Sequence, residues 1–217
     1  MENMRYDVIS IFPDIFEGFK QESILGKAKV KKLLEMNFHN LRDWGEGKHK
    51  TLDDIPFGGG PGMVLKVGPI FKAVETIKKK SKLKRRCVIH FSPRGKLFTT
   101  KDAKRYARYY DQLIFICGRY EGVDERVAQH IADETISIGD FILIGGEVAA
   151  MAVMEATSRF IPKVIGRRDS VQKNDHAQYT RPEDFKALNK KGLVPKVLVS
   201  GNHKAIAAWR KDHEKKS

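Results

Sequence analysis

The sequence has only two cysteines and no long apolar run. Cys87 and Cys117 are too few for a disulfide framework and stand at no metal-ligand spacing, which fits a reducing compartment. A membrane-spanning helix needs roughly 18 apolar residues in a row, and no such stretch occurs. The amino-terminal MENMRYDVISIF lacks the basic and then apolar order of a signal peptide. We therefore expect a cytoplasmic protein that does not span a membrane.

Common nucleotide-binding and metal-binding motifs are also missing. The chain contains no GxxxxGK[ST], which excludes a P-loop, and no GxGxxG followed by an acidic residue, which argues against a dinucleotide-binding Rossmann unit. The seven histidines are scattered along the chain, so no zinc site and no other dedicated metal site is predicted.

Positive charge is in large excess and is unevenly distributed. The net charge is +14. Residues 78–108 contain thirteen Lys or Arg and one acid, and residues 181–217 contain ten Lys or Arg and four acids. Clustered cations favour a polyanionic partner, because neutralised phosphates release counterions. Nucleic acid is the expected partner, and charge alone does not distinguish its kinds.

Strand-like and helix-like segments alternate along most of the 217 residues. This order predicts an α/β fold with a mainly parallel sheet covered by helices on both faces. Thr99 or Thr100 is expected to cap a helix, Pro182 to open a helical piece, and Ser200 to cap the last helix. The predicted strands cover 5–12, 37–41, 86–91, 112–117 and 135–144, and the predicted helices cover 22–36, 67–82, 101–109, 123–132, 148–160 and 204–216.

Three predicted strands run into loops that contain glycine. These loops are SPRG at 92–95, GRYEG at 118–122 and the segment 138–146, which ends in Gly145-Gly146 before Glu147. Carboxyl ends of parallel strands meet at one edge of a sheet, so the three loops are expected to line one small-molecule pocket. A further long loop at 42–63 contains FGGGPGM, and composition alone leaves open whether it is functional or a disordered connector.

The motifs CGRYEGVDERV and SIGDFILIGGE, with PFGGGPGM, SPRG, YTRPEDF and SGNHKAIAAWR, resemble bacterial tRNA (guanine-N1)-methyltransferases of the TrmD type, within the SPOUT superfamily. The resemblance spans nearly the whole chain. It implies a SPOUT methyltransferase domain over 1–162 with a trefoil knot at about 90–147, a linker over 163–178, and a small helical tRNA-binding domain over 179–217.

The resemblance implies methyl transfer from S-adenosylmethionine to N1 of the guanine at position 37 of tRNA, beside the anticodon. It further implies a homodimer that binds the tRNA anticodon stem-loop and not DNA, with each site built from two subunits. Mg²⁺ is sometimes implicated in this family. Two alternatives stay open: a SPOUT enzyme that methylates a ribose 2′-hydroxyl or ribosomal RNA, and a non-catalytic RNA-binding protein.

This reaction needs a carboxylate base near N1 and a cation or N–H donor near O6, where negative charge develops. The resemblance assigns Asp169 as base and Arg159 as catalytic arginine. It places Glu121 near the methionine end of the cofactor. The cofactor set is Phe91, Ser92, Pro93, Gly95, Gly118, Arg119, Tyr120, Glu121, Gly122, Ser137, Ile138, Gly139, Asp140, Phe141, Ile142, Leu143, Gly145 and Gly146. The substrate set is Asp53, Pro56, Phe57, Gly58, Gly59, Gly60, Pro61, Gly62, Ser200, Asn202 and His203.

The sequence departs from the family pattern near these residues. The spacings on both sides of the Asp169-Ser170 pair are shorter than usual, and Asp175 matches a different acidic position of the family. Asp169 could also be a solvated linker residue, and Arg159 could form an ordinary i,i+4 ion pair with Glu155. Three usual family residues are replaced, by Phe57, Phe141 and Ile144.

Overall fold

The computed structural model describes residues 3–166, 176–185 and 193–214. The chain divides into two compact units, residues 1–166 and 167–217. Each unit is considered by itself. The predicted linker at 163–178 overlaps residues 167–175, which lie outside the described part of the chain, as do the assigned base Asp169 and the alternative Asp175.

The first unit is built around a five-stranded sheet in which every neighbouring pair of strands is parallel. Its spatial order is β2-β1-β6-β5-β7. The strands are β1 (Met4–Ser10), β2 (Leu34–Asn40), β5 (Arg86–Leu97), β6 (Gln112–Ile116) and β7 (Glu134–Ser137). A separate antiparallel pair joins β3 (Asp53–Asp54) to β4 (Val64–Leu65). The predicted parallel α/β sheet is confirmed.

Helices cover both faces of this sheet, as predicted. On one face α1 (Glu17–Gln21), α2 (Ser23–Val30), α4 (Thr100–Tyr109) and α6 (Glu147–Ser158) lie with a core that contains Tyr6, Phe115 and Met154. On the other face α3 (Val67–Lys80) and α5 (Glu125–His130) lie with a core that contains Ile9 and Val74. Successive residues of a strand point to opposite faces, so buried strands feed both cores.

Most predicted elements are shifted by a few residues at their ends, and two are much shorter in the structure. The helix expected over 22–36 ends at Val30, and Leu34 and Met36 belong to β2, where both are buried. Lys32 has φ of +58°, a left-handed conformation that separates the helix from the strand. The strand expected over 135–144 ends at Ser137, because the chain there turns away into the third glycine-containing loop.

Caps agree with the sequence in one place and differ in another. The Thr99 hydroxyl accepts from the backbone N–H of Asp102, whose carboxylate accepts from the N–H of Thr99 in return, which is a capping box. In the second unit, α7 (Lys196–Val199) precedes α8 (His203–Asp212). Asn202 caps α8, and the expected cap Ser200 instead donates to the Val197 carbonyl. Residues 181–185 are not helical, which corrects the prediction for Pro182.

A buried ionic network lies within the sheet near its β2 edge. The carboxylate of Asp7 is inaccessible and accepts from Arg5 Nε at 2.7 Å and Gln112 Nε2 at 2.7 Å. His39 Nε2 lies 2.8 Å from its other oxygen. Burial by itself raises the pKa of Asp7, but the hydrogen bonds from His39, Arg5 and Gln112 outweigh it and lower the pKa to about 2. The carboxylate is therefore charged in the folded protein at neutral pH.

We expect Asp7→Asn to lower the free energy of unfolding at pH 7 by about 3 kcal/mol, because Arg5, His39 and Gln112 lose a buried carboxylate as their partner. The folded pKa lies below the ordinary value of 3.8. The charged carboxylate therefore stabilises the fold fully above about pH 4, and this contribution is lost as pH falls towards 2. Urea unfolding between pH 3 and 7 should show a flatter acid limb in the variant. Exposed Asp14→Asn is the control, and equal profiles for the two variants would contradict the prediction.

Candidate functional site

The three glycine-containing loops converge on one cavity at the carboxyl ends of β5, β6 and β7. The cavity has a volume of about 460 Å³, within the usual range for small-molecule sites. Its position follows from the parallel sheet, because ligands of such folds bind outside the carboxyl ends of the strands. It is lined by His90–Arg94, Gly118–Val123, Ile136–Ile138, Phe141–Gly146 and Ala149.

The first loop is a bulge within β5 rather than a turn after it. Pairing of β5 with β7 is interrupted between Phe91 and Lys96, so residues 92–95 leave the ladder. Gly95 then passes close to β7, since a Cβ at this position would lie 2.6 Å from the backbone nitrogen of Ile136. The bulge turns Ser92 and Pro93 towards the cavity, while Gly95 holds the strand against its neighbour.

The second loop is held by backbone conformation and backbone hydrogen bonds. Tyr120 has φ of +60° and Gly122 has φ of +134°. The N–H of Glu121 donates to the Met63 carbonyl at 3.0 Å, and the N–H of Leu65 donates to the Gly122 carbonyl at 3.0 Å. The loop at 118–122 is thereby tied to β4 and to the end of the glycine-rich loop.

A buried acid anchors the second and third loops to each other. Glu147, the first residue of α6, is 1% exposed and accepts from the Ser10 hydroxyl at 2.6 Å. Arg119 Nε lies 3.0 Å from Glu147 Oε2, and its guanidinium covers the ring of Phe12. This ion pair with the buried Glu147 holds the Arg119 side chain against the cavity instead of leaving it free in solvent.

Close backbone approach explains the glycines of the third loop. A Cβ on Gly146 would lie 2.8 Å from Cys117 Cα, and the Gly146 N–H donates to the Gly118 carbonyl at 3.0 Å. A Cβ on Gly145 would lie 2.3 Å from Arg119 Nε. The third loop therefore passes directly against the end of β6, and no larger residue fits without displacing main chain at Gly146.

The glycine-rich loop lies beside the cavity at the tip of the β3–β4 pair. Gly58, Gly59, Gly60 and Gly62 all have positive φ, and Phe57 is fully exposed. A Cβ on Gly62 would lie 2.5 Å from Glu121 Cγ. The predicted substrate residues Asp53 and 56–62 are thus on one hairpin that contacts the loop bearing Glu121.

Burial sets the electrostatics of the groups beneath the cavity. Burial lowers the pKa of His90, and it raises the pKa of the Cys117 thiol well above its ordinary value, with Glu147 adding to the effect. Cys117 is therefore a neutral thiol and a poor nucleophile. Within the described residues, no group of three His, Cys, Asp or Glu is placed to hold a metal ion, and no helix is long and apolar enough to cross a bilayer.

A family model for tRNA (guanine-1)-methyltransferase TrmD matches residues 4–217. The chain belongs to this family. It is 45% identical over 214 residues to the tRNA (guanine-N(1)-)-methyltransferase of Enterococcus faecalis, covering 95% of this chain and 85% of the relative. Proteins of the same name from Syntrophotalea carbinolica and Dictyoglomus turgidum are 43% and 46% identical, covering 97% and 96% of this chain and 85% and 84% of the relatives.

The family resemblance read from the motifs is therefore confirmed, and with it the enzyme class. The structure also brings together most of the residues that the TrmD-type motifs assign to the cofactor. All of them line the cavity except Gly95, Gly139 and Asp140. Gly95 packs on β7 instead, and a Cβ on Gly139 would meet the Phe141 ring at 2.1 Å, so both glycines shape the loops from behind.

Sequence reasoning missed several cavity residues. His90, Arg94, Val123, Ile136, Ile144 and Ala149 also line the cavity. Ile136 and Ala149 read as ordinary core positions, and only the tertiary fold shows that their strand and helix border the cavity. Arg94 lies inside the predicted SPRG loop, so the sequence could have indicated that it lines the cavity.

The described residues that line the cavity do not include Arg159, Ser200, Asn202 or His203. Arg159 is exposed at the carboxyl end of α6, whose amino end borders the cavity. Twelve helical residues span on the order of 18 Å, so the amino end of α6 at the cavity and Arg159 are separated by about this length of helix. Ser200, Asn202 and His203 are exposed around the amino end of α8 in the second unit.

Proposed function

We propose that this protein transfers a methyl group from S-adenosylmethionine to N1 of the guanine at position 37 of tRNA. One observation carries the proposal. In a chain of the tRNA (guanine-1)-methyltransferase family, the three motif loops border a single cavity beside a glycine-rich hairpin. The cavity suits a small methyl donor, and the exposed hairpin next to it suits a macromolecular acceptor.

The cavity residues fit S-adenosylmethionine in size and chemistry. Phe141, Ile142 and Leu143 provide apolar surface for an adenine ring, and glycine main chain at 118, 145 and 146 leaves backbone groups accessible to ribose and adenine edges. Glu121, in the loop at 118–122, provides a carboxylate for the cationic methionine end of the cofactor. When bound, the cofactor supplies an electrophilic methyl carbon on a sulfonium.

We also propose that the chain forms a trefoil knot over about 90–147. The tight contact of the third loop with the end of β6 supports this, because Gly146 lies against Cys117 and Gly118 main chain. The bulge of β5 against Ile136 supports it further. Close main-chain crossings of this kind need glycine at the contact, and the sequence has glycine at 95 and 146, where an added Cβ would meet main chain.

We also propose a homodimer, which two features of the first unit support. Large apolar side chains are exposed near the cavity mouth: Phe12 is 49% exposed, Val148 53%, Ile142 84% and Ile144 88%. Contiguous exposed apolar surface favours a protein partner. Arg159 lies far along α6 from its own cavity, so this assigned arginine would reach the reaction from a second subunit. We propose that each site combines one subunit's cavity with the other's Arg159 and Asp169.

In this arrangement each residue has a distinct task. The Asp169 carboxylate accepts the proton from N1 of the guanine, which makes the nitrogen nucleophilic. The Arg159 guanidinium stabilises the negative charge that develops on O6. The glycine-rich hairpin and the second unit, with Ser200, Asn202 and His203, hold the anticodon stem-loop. Cavity walls exclude water from the transferring methyl group.

A methyl-transfer assay tests the proposed function. Tritiated S-adenosylmethionine and tRNA transcripts with guanine or adenine at position 37 should give transfer only with guanine, followed by recovery of 1-methylguanine on nucleoside digestion. Label on both transcripts would indicate a ribose 2′-hydroxyl acceptor. RNA binding without transfer would indicate a non-catalytic RNA-binding protein. Either result would contradict the proposal.

A further inference from the structure

A strongly basic segment lies at the opposite end of the sheet from the cavity. Residues 78–86 contain seven Lys or Arg and no acid. They form the last turn of α3, the connection after it and the first residue of β5. Because the cavity borders the carboxyl ends of the strands, and β5 begins at Arg86, this basic segment lies at their amino ends.

Most of this charge is not neutralised by neighbouring acids. Lys78 lies 3.5 Å from Glu75, Arg85 pairs with Asp111, and Arg86 donates to the Lys78 carbonyl. The other four, Lys79, Lys80, Lys82 and Lys84, are exposed, and they have no ion pair among the residues that the structure describes. Unpaired cations at this density repel one another and favour a polyanion.

A cleft beside the segment adds a second feature suited to RNA. Lys80 lines a cleft of about 340 Å³ together with Arg5, His39, Asp43, Trp44, Thr76 and Ile77. Trp44 donates its indole N–H to Thr76 at 3.1 Å, which fixes the ring in the cleft wall. Cations beside a fixed aromatic ring are the side chains that RNA-binding surfaces combine, although Asp43 offsets part of the charge.

The basic segment at 78–86 and the cavity are too far apart for one small ligand to contact both. From Arg86 to Phe91 the chain runs along β5 for five residues, which is about 16 Å at the usual rise of a strand. A nucleotide in the cavity does not reach the amino ends of the strands. A ligand that contacts both regions has to be a macromolecule that extends around the sheet.

We propose that residues 78–86 form a second docking surface for the sugar-phosphate backbone of the substrate tRNA, outside its anticodon arm. This rests on the proposed function, which makes tRNA the substrate. The anticodon arm has to approach the cavity side to present its guanine. In this proposal the lysines of residues 78–86, which lie at the amino end of β5 on the face covered by α3, contact phosphates of the remaining arms without reading sequence, whereas α2 covers the other face beside the β2 edge.

The test replaces Lys79, Lys80, Lys82 and Lys84 together with glutamine. Equilibrium binding is measured across a salt series with a full-length tRNA transcript and with an isolated anticodon stem-loop. For full-length tRNA we expect at least tenfold weaker binding near 0.1 M salt. The slope of log K against log salt should fall by about 3, because each lost phosphate contact removes roughly 0.7–0.9. Stem-loop binding should be unchanged.

A matched control variant distinguishes the effect of losing this surface from the effect of lowering the net charge. Lys27, Lys29, Lys31 and Lys32 are exposed on and just after α2, and their replacement by glutamine removes the same charge. This control should keep the wild-type slope. Equal losses in both variants, an unchanged slope in the first variant, or an equal loss on the stem-loop would each overturn the proposal. Failure of the wild-type protein to methylate guanine 37 would instead contradict the proposed function, and the binding slopes would still test the surface.

Discussion

Asp169→Asn should lower kcat for methylation of tRNA by about 10²–10⁴-fold, with little change in the affinity for S-adenosylmethionine. Asparagine keeps the size of the side chain but cannot accept the N1 proton, and a positioned base contributes a factor of this order. The cavity residues that we propose hold the cofactor are in the first unit and are untouched. Single-turnover transfer measures the rate, and calorimetry with S-adenosylmethionine measures the affinity.

Asp175→Asn is the matched control, because Asp175 is the other acid of this segment that matches a family position. It should keep kcat within a few-fold of the wild-type value. A normal single-turnover rate in Asp169→Asn would show that Asp169 is a solvated residue rather than the base. A large loss in Asp175→Asn alone would move the assignment to that residue. Activity of Asp169→Asn that rises with pH would show that solvent replaces the missing base.

Gly146→Ala should weaken S-adenosylmethionine binding by about tenfold to a hundredfold. The added Cβ would lie 2.8 Å from Cys117 Cα, which is main chain and cannot rotate away. Overpacking of this kind costs about 1–3 kcal/mol, and the displaced atoms border the cavity directly. Calorimetry gives the dissociation constant, and thermal unfolding shows whether the fold itself remains intact.

Gly18→Ala is the control for this prediction. A Cβ there has nothing within 4 Å, and Gly18 lies inside α1, where alanine is favoured over glycine. Cofactor affinity should stay at the wild-type value, with a slightly raised unfolding temperature. Wild-type affinity in Gly146→Ala would show that the main chain at Cys117 yields readily and that the contact does not shape the cavity.

The two variants together test the shared site. Mixed dimers of Asp169→Asn and Gly146→Ala combine an intact cavity on one chain with an intact Asp169 on the other. At an S-adenosylmethionine concentration that saturates wild-type sites but lies well below the dissociation constant of Gly146→Ala, neither variant alone should be active. If each site uses two subunits, co-refolding should then recover about a quarter of wild-type activity, because half of the dimers are mixed and one of their two sites is complete. No recovery would indicate that each site is built within one chain.

The position of the cavity followed from the sequence for a clear physical reason. Parallel strands place their carboxyl ends at one edge, so the glycine-containing bulge of β5 and the glycine loops after β6 and β7 meet there. The motif residues Ser92, Gly118 and Gly146 lie in that cavity as expected. Sites formed by the main chain can be predicted from the sequence in this way, because glycine is required wherever main chain closely approaches main chain.

Other features could not be predicted from the local sequence pattern. The segment after Val30 has helical composition, but Leu34 and Met36 form a strand, because pairing with β1 buries both side chains. Burial against a neighbouring strand outweighs the weak intrinsic preference of a short segment. Likewise, Asn202 rather than Ser200 caps α8, since both residues suit a cap and only the local turn decides between them.

By itself the sequence determined the family, the parallel α/β class and the three loops, because long glycine motifs and alternating strands and helices constrain the main chain. Only the tertiary structure decided that Glu147 lies buried against Arg119 and Ser10, and that Asp7 sits charged beneath His39 and Gln112. It also decided that the basic segment at 78–86 faces away from the cavity. The reason is that these relations join residues far apart in the chain, whose meeting depends on strand order and register.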